Sequence, residues 1–268
     1  MNPSVSLVIS TYNRPNALKV CLESVLSQRT MPDEVIIADD GSNEETRNLI
    51  DSFRPRFSVP LIHVWQPDEG YQLAAIRNKA FVKAAGEYII QIDGDLILHP
   101  CFVTDHLSFR RRNCFVSGSR VMLNPGYTQR ILDEGLPHSP GWLAKDISKR
   151  YNAIRCLPLG KLNYQLQRGQ TNVKYVLGCN MAFWKEDLLK VNGYNEDFKG
   201  WGREDNDISV RLTNVGVDLR FVKFAALVYH LYHPERPRPD FDINDGIYGE
   251  SLKNKLTYIP RGMIQSSE

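Results

Sequence analysis

The sequence predicts an α/β protein built on a doubly wound, mostly parallel sheet. Short apolar runs rich in Val and Ile alternate with segments whose apolar residues recur at helical spacing. The short runs are continuously apolar, which is typical of parallel strands buried on both faces. Polar clusters stand where three of these runs end, at Thr11, Asp39 and Asp93. Because ligands of such sheets bind beyond the carboxyl ends of the strands, we expect a ligand site at this edge.

The N-terminal elements follow from these patterns. Each predicted strand ends in turn residues, and each predicted helix has one apolar face; Gly86 can terminate the second helix. The predicted strands are 5–10, 35–38, 61–65 and 87–92, and the predicted helices cover 18–26 and 73–84. This alternation favours crossover connections within one sheet.

The C-terminal part is less regular. Residues 118–171 are rich in proline and glycine and have weak apolar periodicity, so we expect an excursion with short helices. Regular patterns return as strands at 175–183 and 219–229 and as helices at 186–191 and 204–215. After His233, the proline-rich run 234–239 is expected to end regular structure, and the last ten residues are expected to be mobile.

Composition excludes several classes of protein. The chain has 33 Lys and Arg against 31 Asp and Glu, a net charge of +2, so no global field favours nucleic acid. The run 110–112 of three arginines reads as a solvated helix end, with a phosphate or an anionic membrane surface as the alternative contact. The 5 cysteines never form CxxC, and no apolar run approaches the roughly 20 residues that span a bilayer. We expect a cytoplasmic protein, with a location peripheral to the inner membrane as the alternative.

One candidate metal site follows the fourth predicted strand. Asp93 and Asp95 flank Gly94, so an extended backbone would point both carboxylates to the same side. Two carboxylates beside a diphosphate suit Mn²⁺ or Mg²⁺, although Asp-Gly-Asp is also common in turns. His230 and His233 follow a later predicted strand and could complete the coordination, or they could be structural histidines.

A second candidate site precedes the helix at 204–215. Glu204 and Asp205 lie in its first turn, where acidic residues also occur as ordinary capping chemistry. Capping does not explain Trp201, an aromatic side chain between two glycines, Gly200 and Gly202, that could stack on a sugar. The combined motif therefore favours a carbohydrate site with a carboxylate base.

A third cluster combines two strand ends. Thr11, Tyr12 and Arg14 follow the first strand, and Asp40 follows the second. Each group could be only a helix entry or a turn. Together they place an aromatic ring, a guanidinium and a carboxylate beside one crevice, as recognition of a nucleobase and phosphates requires.

These motifs resemble those of the family 2 glycosyltransferases, which have a GT-A fold. The N-terminal resemblance rests on the segments 5–15, 39–42, 75–78 and 93–95. The C-terminal segments 178–183, 193–196 and 200–207 resemble the catalytic region shared by β-1,4-galactosyltransferases and bacterial chondroitin-type polymerases. The resemblance implies a GT-A domain over 1–235, with a nucleotide-sugar-binding half at 1–100 and an acceptor and catalytic half at 101–235, followed by a C-terminal tail at 236–268.

The resemblance also implies residue roles. Asp205 corresponds to the catalytic base, with Glu204 beside it. The implied donor-binding residues are Thr11, Tyr12, Arg14 and Asp40 at the uracil end, Arg77 along the ribose or diphosphate, and Asp93 at the ribose or metal. The implied sugar-contacting residues are Trp201, Gly202, Asn180 and Met181. Asp95 corresponds to the principal metal ligand, and His230 matches the distal metal histidine better than His233 does.

The implied activity is a metal-dependent, inverting transfer of a single sugar. The donor would be a UDP-sugar such as UDP-galactose, UDP-GalNAc or UDP-GlcNAc, and the acceptor a hydroxyl of a glycan or lipid-linked glycan in bacterial surface polysaccharide synthesis. The alternatives are a sugar nucleotidyltransferase, a retaining GalNAc-transferase-like enzyme, and a non-catalytic module that binds nucleotide or carbohydrate. A nucleotidyltransferase is disfavoured because the first strand is not followed by a glycine-rich basic loop. A non-catalytic module is disfavoured because Asp93, Asp95 and Asp205 are all present.

Overall fold

The structure is a computed structural model that describes residues 3–135, 143–167, 172–234 and 238–264. The strands are β1 (Val5–Thr11), β2 (Glu34–Asp39), β3 (Leu61–Trp65), β4 (Tyr88–Asp93), β5 (Leu96–Leu98), β6 (Cys114–Ser117), β7 (Val121–Leu123), β8 (Ile147–Ser148), β9 (Asn180–Trp184), β10 (Asp218–Phe221) and β11 (Val228–His230). The helices are α1 (Pro15–Leu26), α2 (Glu44–Phe53), α3 (Leu73–Lys83), α4 (Phe102–Phe109), α5 (Pro125–Glu134), α6 (Leu157–Leu166), α7 (Lys185–Val191), α8 (Glu204–Asn214) and α9 (Phe241–Lys253).

The main sheet has seven strands in the order β10-β6-β9-β4-β1-β2-β3. Neighbouring strands pair in parallel except β9, which is antiparallel to both β4 and β6. Every residue of β1 is buried, and Leu7 and Ile9 pack into one hydrophobic core while Val8 packs into the other. Residues on both faces of the strand are thus covered, which explains its continuous apolar run. The predicted mostly parallel α/β sheet is confirmed.

A second, four-stranded sheet lies beside the first, in the order β5-β11-β7-β8. In β11, His230 is opposite Leu96 of β5 on one side and Met122 of β7 on the other. Because β5 starts just after Asp95, this sheet brings Asp95, His230 and β7 together. The sequence did not indicate this sheet.

The predicted strand 219–229 is in fact two strands, and that prediction was wrong. β10 ends at Phe221 and pairs with β6 in the main sheet, whereas β11 starts at Val228 in the small sheet. Between them Phe224 and Ala226 have positive φ angles of 59° and 49°, which breaks the extended conformation. Asp105 accepts a hydrogen bond from the Ala226 backbone N–H (2.9 Å) and so holds the turn.

Two other boundaries also differ. The strand predicted at 175–183 begins only at Asn180, because Val173–Tyr175 forms a 3₁₀ helix. Helices α2 and α4 were not predicted, whereas α5 and α6 are the short helices expected within the excursion. Within the described ranges, no helix is both long and apolar enough to cross a membrane.

The C-terminal tail is more ordered than the sequence suggested. Helix α9 follows the proline-rich run, of which 235–237 lie outside the described residues. Beyond it Ile259 and Met263 are buried, and the Asn192 side chain donates hydrogen bonds to the carbonyls of Ile259 (2.8 Å) and Ile264 (2.9 Å). The expectation of a mobile end is therefore wrong for 259–264, because buried apolar side chains and backbone hydrogen bonds fix it; 265–268 lie outside the described residues.

Candidate active site

A cleft of about 550 Å³ opens at the carboxyl edge of the main sheet, where the small sheet meets it. The strand-end clusters predicted from the sequence do converge there. Of the predicted site residues, the cleft is lined by Thr11, Tyr12, Arg14, Asp40, Asp93, Asp95, Trp201, His230 and His233. The lining does not include Arg77, Asn180, Met181, Gly202, Glu204 and Asp205.

One wall of the cleft carries a set of metal-ligating side chains. One ligand atom each from Asp95, His230 and His233 lie within 4.8 Å of one another. The Nε2 atom of His230 is 3.7 Å from Asp95 Oδ1, and that of His233 is 3.5 Å from Asp95 Oδ2. Each histidine has its Nδ1 within hydrogen-bond distance of a backbone carbonyl, that of Leu231 (2.7 Å) or Pro234 (2.9 Å). When Nδ1 donates to that carbonyl, the lone pair is on Nε2, which faces Asp95.

The Asp95 carboxylate has an unused acceptor. Its Oδ1 is buried and has no hydrogen-bond partner, while its Oδ2 accepts from Arg14 at 2.6 Å. Burial lowers the pKa of His230, which favours the neutral imidazole that a metal requires. A buried carboxylate that has one unpaired oxygen and lies close to two imidazole nitrogens fits Mn²⁺, and Mg²⁺ less well because it prefers oxygen donors. The donor set therefore fits the ion that the sequence suggested.

Arg14 differs from its expected place. It was expected with the uracil end, but its guanidinium pairs with Asp95 at the metal end of the cleft. Its side chain is 30% exposed, so a ligand can reach it.

The floor of the cleft is an ionic network centred on Arg77. This side chain is 1% exposed, and it donates to Asp93 Oδ1 and Asp205 Oδ1, each at 3.0 Å, and to Ser10 Oγ at 3.2 Å. Burial, followed by the charge of Asp95, raises the pKa of Asp93 to about 6 while Arg77 opposes the shift. Arg77 was expected along the ribose or diphosphate, but it lies beneath the cleft because both neighbouring carboxylates draw its nitrogens inward.

Asp205 is held from several sides. Its Oδ1 also accepts from the hydroxyl of Tyr194 at 2.9 Å, and that hydroxyl is 3.0 Å from Gln91 Oε1. A Cβ added at Gly178 would lie 1.8 Å from Asp205 Oδ2, so only glycine fits beside the carboxylate. With the side chain of Asp205 21% exposed, the group is fixed in orientation yet reachable.

Glu204 is more deeply buried than Asp205. Burial, and then the charge of Asp205, raises the pKa of Glu204 to about 8, so it is protonated at neutral pH. The backbone N–H of Gly202 donates to its Oε2 at 3.0 Å. Gly202 itself is buried and has a φ of +112°, so its role is to shape the loop rather than to line the cleft.

The opposite end of the cleft carries the predicted nucleobase cluster. Asp40 accepts from the Gln66 side chain (2.6 Å) and the Gln72 backbone (2.9 Å), and burial raises the pKa of its carboxyl to about 6. Tyr12 donates to Asp68 at 2.7 Å, and Thr11 is buried at the end of β1. These side chains are therefore braced at the cleft edge.

Trp201 stands at the mouth of the cleft and is 40% exposed. Phe241 of α9 stacks on it, with ring centroids 6.3 Å apart, and the Arg238 guanidinium carbon lies 3.8 Å from its ring centroid. The flanking glycines are needed for this arrangement: a Cβ at Gly200 would lie 2.3 Å from Asp240 Oδ2, and one at Gly202 would lie 3.1 Å from Phe241. The tail thus supports the loop that carries Trp201.

Two predicted substrate-binding residues belong to the core instead. Asn180 is 0% exposed; its amide donates to the carbonyls of Ser119 and Ala226, both at 3.1 Å. Met181 is also 0% exposed and packs in a hydrophobic core. Both lie in β9, between β4 and β6, so these positions were wrong as substrate contacts.

Sequence reasoning missed part of the lining: Tyr71, Leu73, Arg120, Met122, Tyr232, Pro234 and Arg238. Arg120 and Met122 are two residues apart at β7, which puts them on one side of the strand. The short apolar run 121–123 was the available signal, but the surrounding proline and glycine obscured it.

Two family models match the chain. A family model described as glycosyl transferase family 2 matches residues 6–190, and one described as the N-terminal domain of galactosyltransferase matches residues 162–234. Chondroitin synthase of Escherichia coli is 28% identical over 270 residues, which cover 96% of this chain and 39% of that protein. The chain therefore spans about two fifths of the length of this relative.

Two solved structures have a similar fold. S. aureus TarS 1-349 in complex with UDP has a TM-score of 0.63 at 15% identity and is matched over 98% of this chain and 67% of that one. The mannosyltransferase PcManGT from Pyrobaculum calidifontis, in complex with GDP-Man and Mn²⁺, has a TM-score of 0.61 at 16% identity. The match covers 94% of this chain and 65% of that one.

The fold is that of the GT-A glycosyltransferases. The match over residues 6–190 shows that the chain belongs to glycosyl transferase family 2. The resemblance drawn from the sequence motifs is therefore confirmed for the family and the fold.

Proposed function

We propose that this glycosyltransferase moves a single sugar from a UDP-sugar to a hydroxyl of a glycan or lipid-linked glycan, with inversion at the anomeric carbon. One observation carries the proposal: Arg77 bridges Asp93, at the edge of a cleft that holds a metal-ligating set, to Asp205, the candidate base. A donor site and a proton acceptor are thereby coupled through one guanidinium.

The donor would lie along the cleft between its two ends. Asp40, Thr11 and Tyr12 would contact the base and ribose, and Arg14 would lie near the phosphates beside Asp95. Two observations support a UDP donor. The Asp40 carboxyl at the nucleobase end of the cleft can accept a hydrogen bond from uracil, and the fold is similar to that of a structure that holds UDP. The sugar, whether galactose, GalNAc or GlcNAc, would lie towards Trp201.

Asp95, His230 and His233 would hold a divalent cation, Mn²⁺ in preference to Mg²⁺, with Asp93 on the ribose or the cation. A cation bound there supplies charge neutralisation to the departing diphosphate.

Asp205 would act as the general base. The acceptor hydroxyl passes its proton to the carboxylate while its oxygen forms a bond to the anomeric carbon, and the bond from that carbon to the diphosphate oxygen breaks with its electron pair. Because Arg77 and Tyr194 both bind Oδ1, we assign Oδ2 as the proton acceptor. One displacement from the face opposite the nucleotide inverts the configuration.

Trp201 would form the sugar platform at the mouth of the cleft. Its ring is partly exposed and is held by Phe241 and Arg238, so a pyranose would contact the exposed part of a ring that is already ordered. Glu204, protonated beside Asp205, would donate a hydrogen bond rather than take a proton. An acceptor in bacterial surface polysaccharide synthesis is supported by the similarity to a chondroitin synthase.

The test is turnover of a panel of UDP-sugars with Mn²⁺, read as UDP release and as the anomeric configuration of the product by NMR. We expect release with at least one donor, loss of release with EDTA, and an inverted product. A product of retained configuration would contradict the role of Asp205. Release of pyrophosphate from a nucleoside triphosphate and sugar phosphate would favour a nucleotidyltransferase, and binding without any turnover would favour a non-catalytic module.

A further inference from the structure

Two residues that line the cleft have a buried side-chain atom without a hydrogen-bond partner. One is the acceptor Asp95 Oδ1, and the other is the donor Nε of Arg120. Buried polar groups in folded proteins are almost always paired, so each of these atoms calls for a partner that the protein does not supply. The two atoms are of opposite kind: one suits a cation and the other an anion.

Arg120 is placed by the small sheet rather than by a loop. It directly precedes β7, whose Val121 and Met122 pair with Tyr229 and His230 of β11. The backbone carbonyl of Arg120 also accepts a hydrogen bond from the Asn152 side chain at 2.8 Å. The guanidinium therefore projects from a braced position on the same wall as the metal-ligating set.

The acidic groups of the cleft have other partners: Asp40 accepts from the Gln66 side chain and the Gln72 backbone, and the other two pair with arginines. Arg77 pairs with Asp93, and Arg14 pairs with Asp95. The hydrogen bond described for the Arg120 side chain is from Nη1 to Cys179 Sγ, at 3.6 Å. Sulfur is a weak acceptor, so this contact does not satisfy a guanidinium with five N–H donors.

We propose that Arg120 binds an oxyanion of the donor, the diphosphate, beside the candidate cation site. This inference rests on the proposed function and names a residue that neither the motifs nor the family resemblance singled out. A diphosphate suits such a pair of sites, since its oxygens would coordinate the cation and accept hydrogen bonds from the guanidinium. The other source of the same chemistry is a carboxylate on the transferred sugar.

The experiment is calorimetric binding to the full chain in Mn²⁺, comparing wild type with R120M and R120K. The ligands are UDP, uridine, UDP-glucose and UDP-glucuronate. The control is R130M, the same change at an exposed arginine of α5 that lies outside the cleft lining. Thermal melting checks that each variant folds; R120K keeps the charge but loses the planar fork, so it tests the proposal even if R120M does not fold.

We expect R120M to weaken UDP binding by about 10- to 100-fold, since charge-assisted bonds to a phosphate are lost, and R120K to give a smaller loss. Uridine binding and the R130M control should not change. If UDP and UDP-glucose were unaffected but UDP-glucuronate bound more weakly, the oxyanion would be the sugar carboxylate.

Unchanged binding of every ligand, or an equal loss for uridine and UDP, would overturn the assignment of Arg120 alone. If wild-type protein did not bind UDP in Mn²⁺, the proposed function itself would fail, and this inference with it.

Discussion

The floor and the wall of the cleft are built from similar charged residues but differ in how these are satisfied. On the floor, Arg77 is buried, and its Nε, Nη2 and Nη1 atoms donate hydrogen bonds to Ser10, Asp93 and Asp205, respectively. On the wall, buried atoms of Asp95 and Arg120 have no partner.

This difference separates positioning from binding. A buried ion pair whose partners are all within the protein holds geometry, and removing one member leaves the others uncompensated. A buried polar atom without a partner costs stability unless a ligand supplies one. The floor therefore fixes the candidate base, whereas the wall is shaped for a cation and an anion from outside.

Asp205→Asn gives the largest expected effect and tests the floor as the place of chemistry. It should lower kcat by about 10³-fold, because a general base is lost while the amide can still accept from Arg77 and Tyr194. UDP binding with Mn²⁺ should stay unchanged, as measured by calorimetry alongside turnover. Asp218→Asn, a half-exposed site on β10, is the matched control. Loss of nucleotide binding in D205N would contradict the division between floor and wall.

Arg77→Met tests the floor as a structural network. The free energy of unfolding at pH 7 should fall by about 3 kcal/mol, because Asp93 and Asp205 lose their shared counter-charge. Arg77 lowers the pKa of Asp93, so without Arg77 the Asp93 carboxyl keeps its proton to higher pH in the folded state and the loss should shrink towards pH 5. Urea unfolding at pH 7 and at pH 5 measures this loss of unfolding free energy, with Arg47→Met on the exposed face of α2 as the control. A loss that is equal at both pH values would contradict the ionic account.

Asp95→Ala tests the wall. Metal-dependent UDP binding should weaken by at least about 100-fold, since removing even an outer-shell partner of a metal ligand costs 10- to 100-fold. Stability without metal should not fall, because the buried, unpaired Oδ1 is removed as well. Asp51→Ala, at an exposed site of α2, is the control. UDP affinity that did not respond to this change would place the metal elsewhere.

Glu204→Gln concerns the boundary of the floor. The folded pKa of Glu204, about 8, lies above the usual value of 4.5, so the folded state holds a proton that the unfolded state has released. The contribution of Glu204 to the free energy of unfolding of the wild type is therefore complete below pH 4.5 and is lost as the pH rises towards 8. The variant should therefore gain stability relative to wild type across this window, by at most about 1.4 kcal/mol per pH unit. A constant difference between pH 5 and pH 8 would show that Glu204 does not titrate there.

Phe241→Ala has the smallest expected effect and addresses the support of Trp201. Losing the stacked ring should raise the KM for the UDP-sugar donor by about 5-fold, in line with about 1 kcal/mol for an aromatic pair, and should leave the binding of UDP itself unchanged. The control is Ile243→Ala, which is exposed on the same helix. An equal effect of both changes on KM would point to α9 as a whole rather than to the stacked pair.

The sequence revealed the strand ends better than it revealed what lies between them. Thr11, Asp40, Asp93 and Asp95 follow buried apolar runs, and a parallel sheet brings such ends to one edge whatever the helices do. Their convergence in one cleft was therefore predictable. The residues alone also raised Asp205 and the histidines as candidates, and the family resemblance assigned their roles; their distances along the chain carry no physical signal of contact.

Other features depended on tertiary context. Arg77 was misplaced because an arginine at a cleft can face a ligand or the protein, and two carboxylates from distant segments decided it. Asn180 lies in an antiparallel strand at the centre of a mostly parallel sheet, which periodicity cannot indicate. The break at Phe224 and Ala226 has no glycine to mark its positive φ angles. Helix α9 follows a proline-rich run that reads as an end of structure.

The most direct test of the account is titration of UDP into the wild-type protein in Mn²⁺ and again in EDTA. The account predicts binding with Mn²⁺ and a large loss of affinity in EDTA, because Asp95 and the two histidines supply a cation site beside the diphosphate. Equal affinity in the two conditions, or no binding in either, would contradict a metal-bound nucleotide sugar in this cleft.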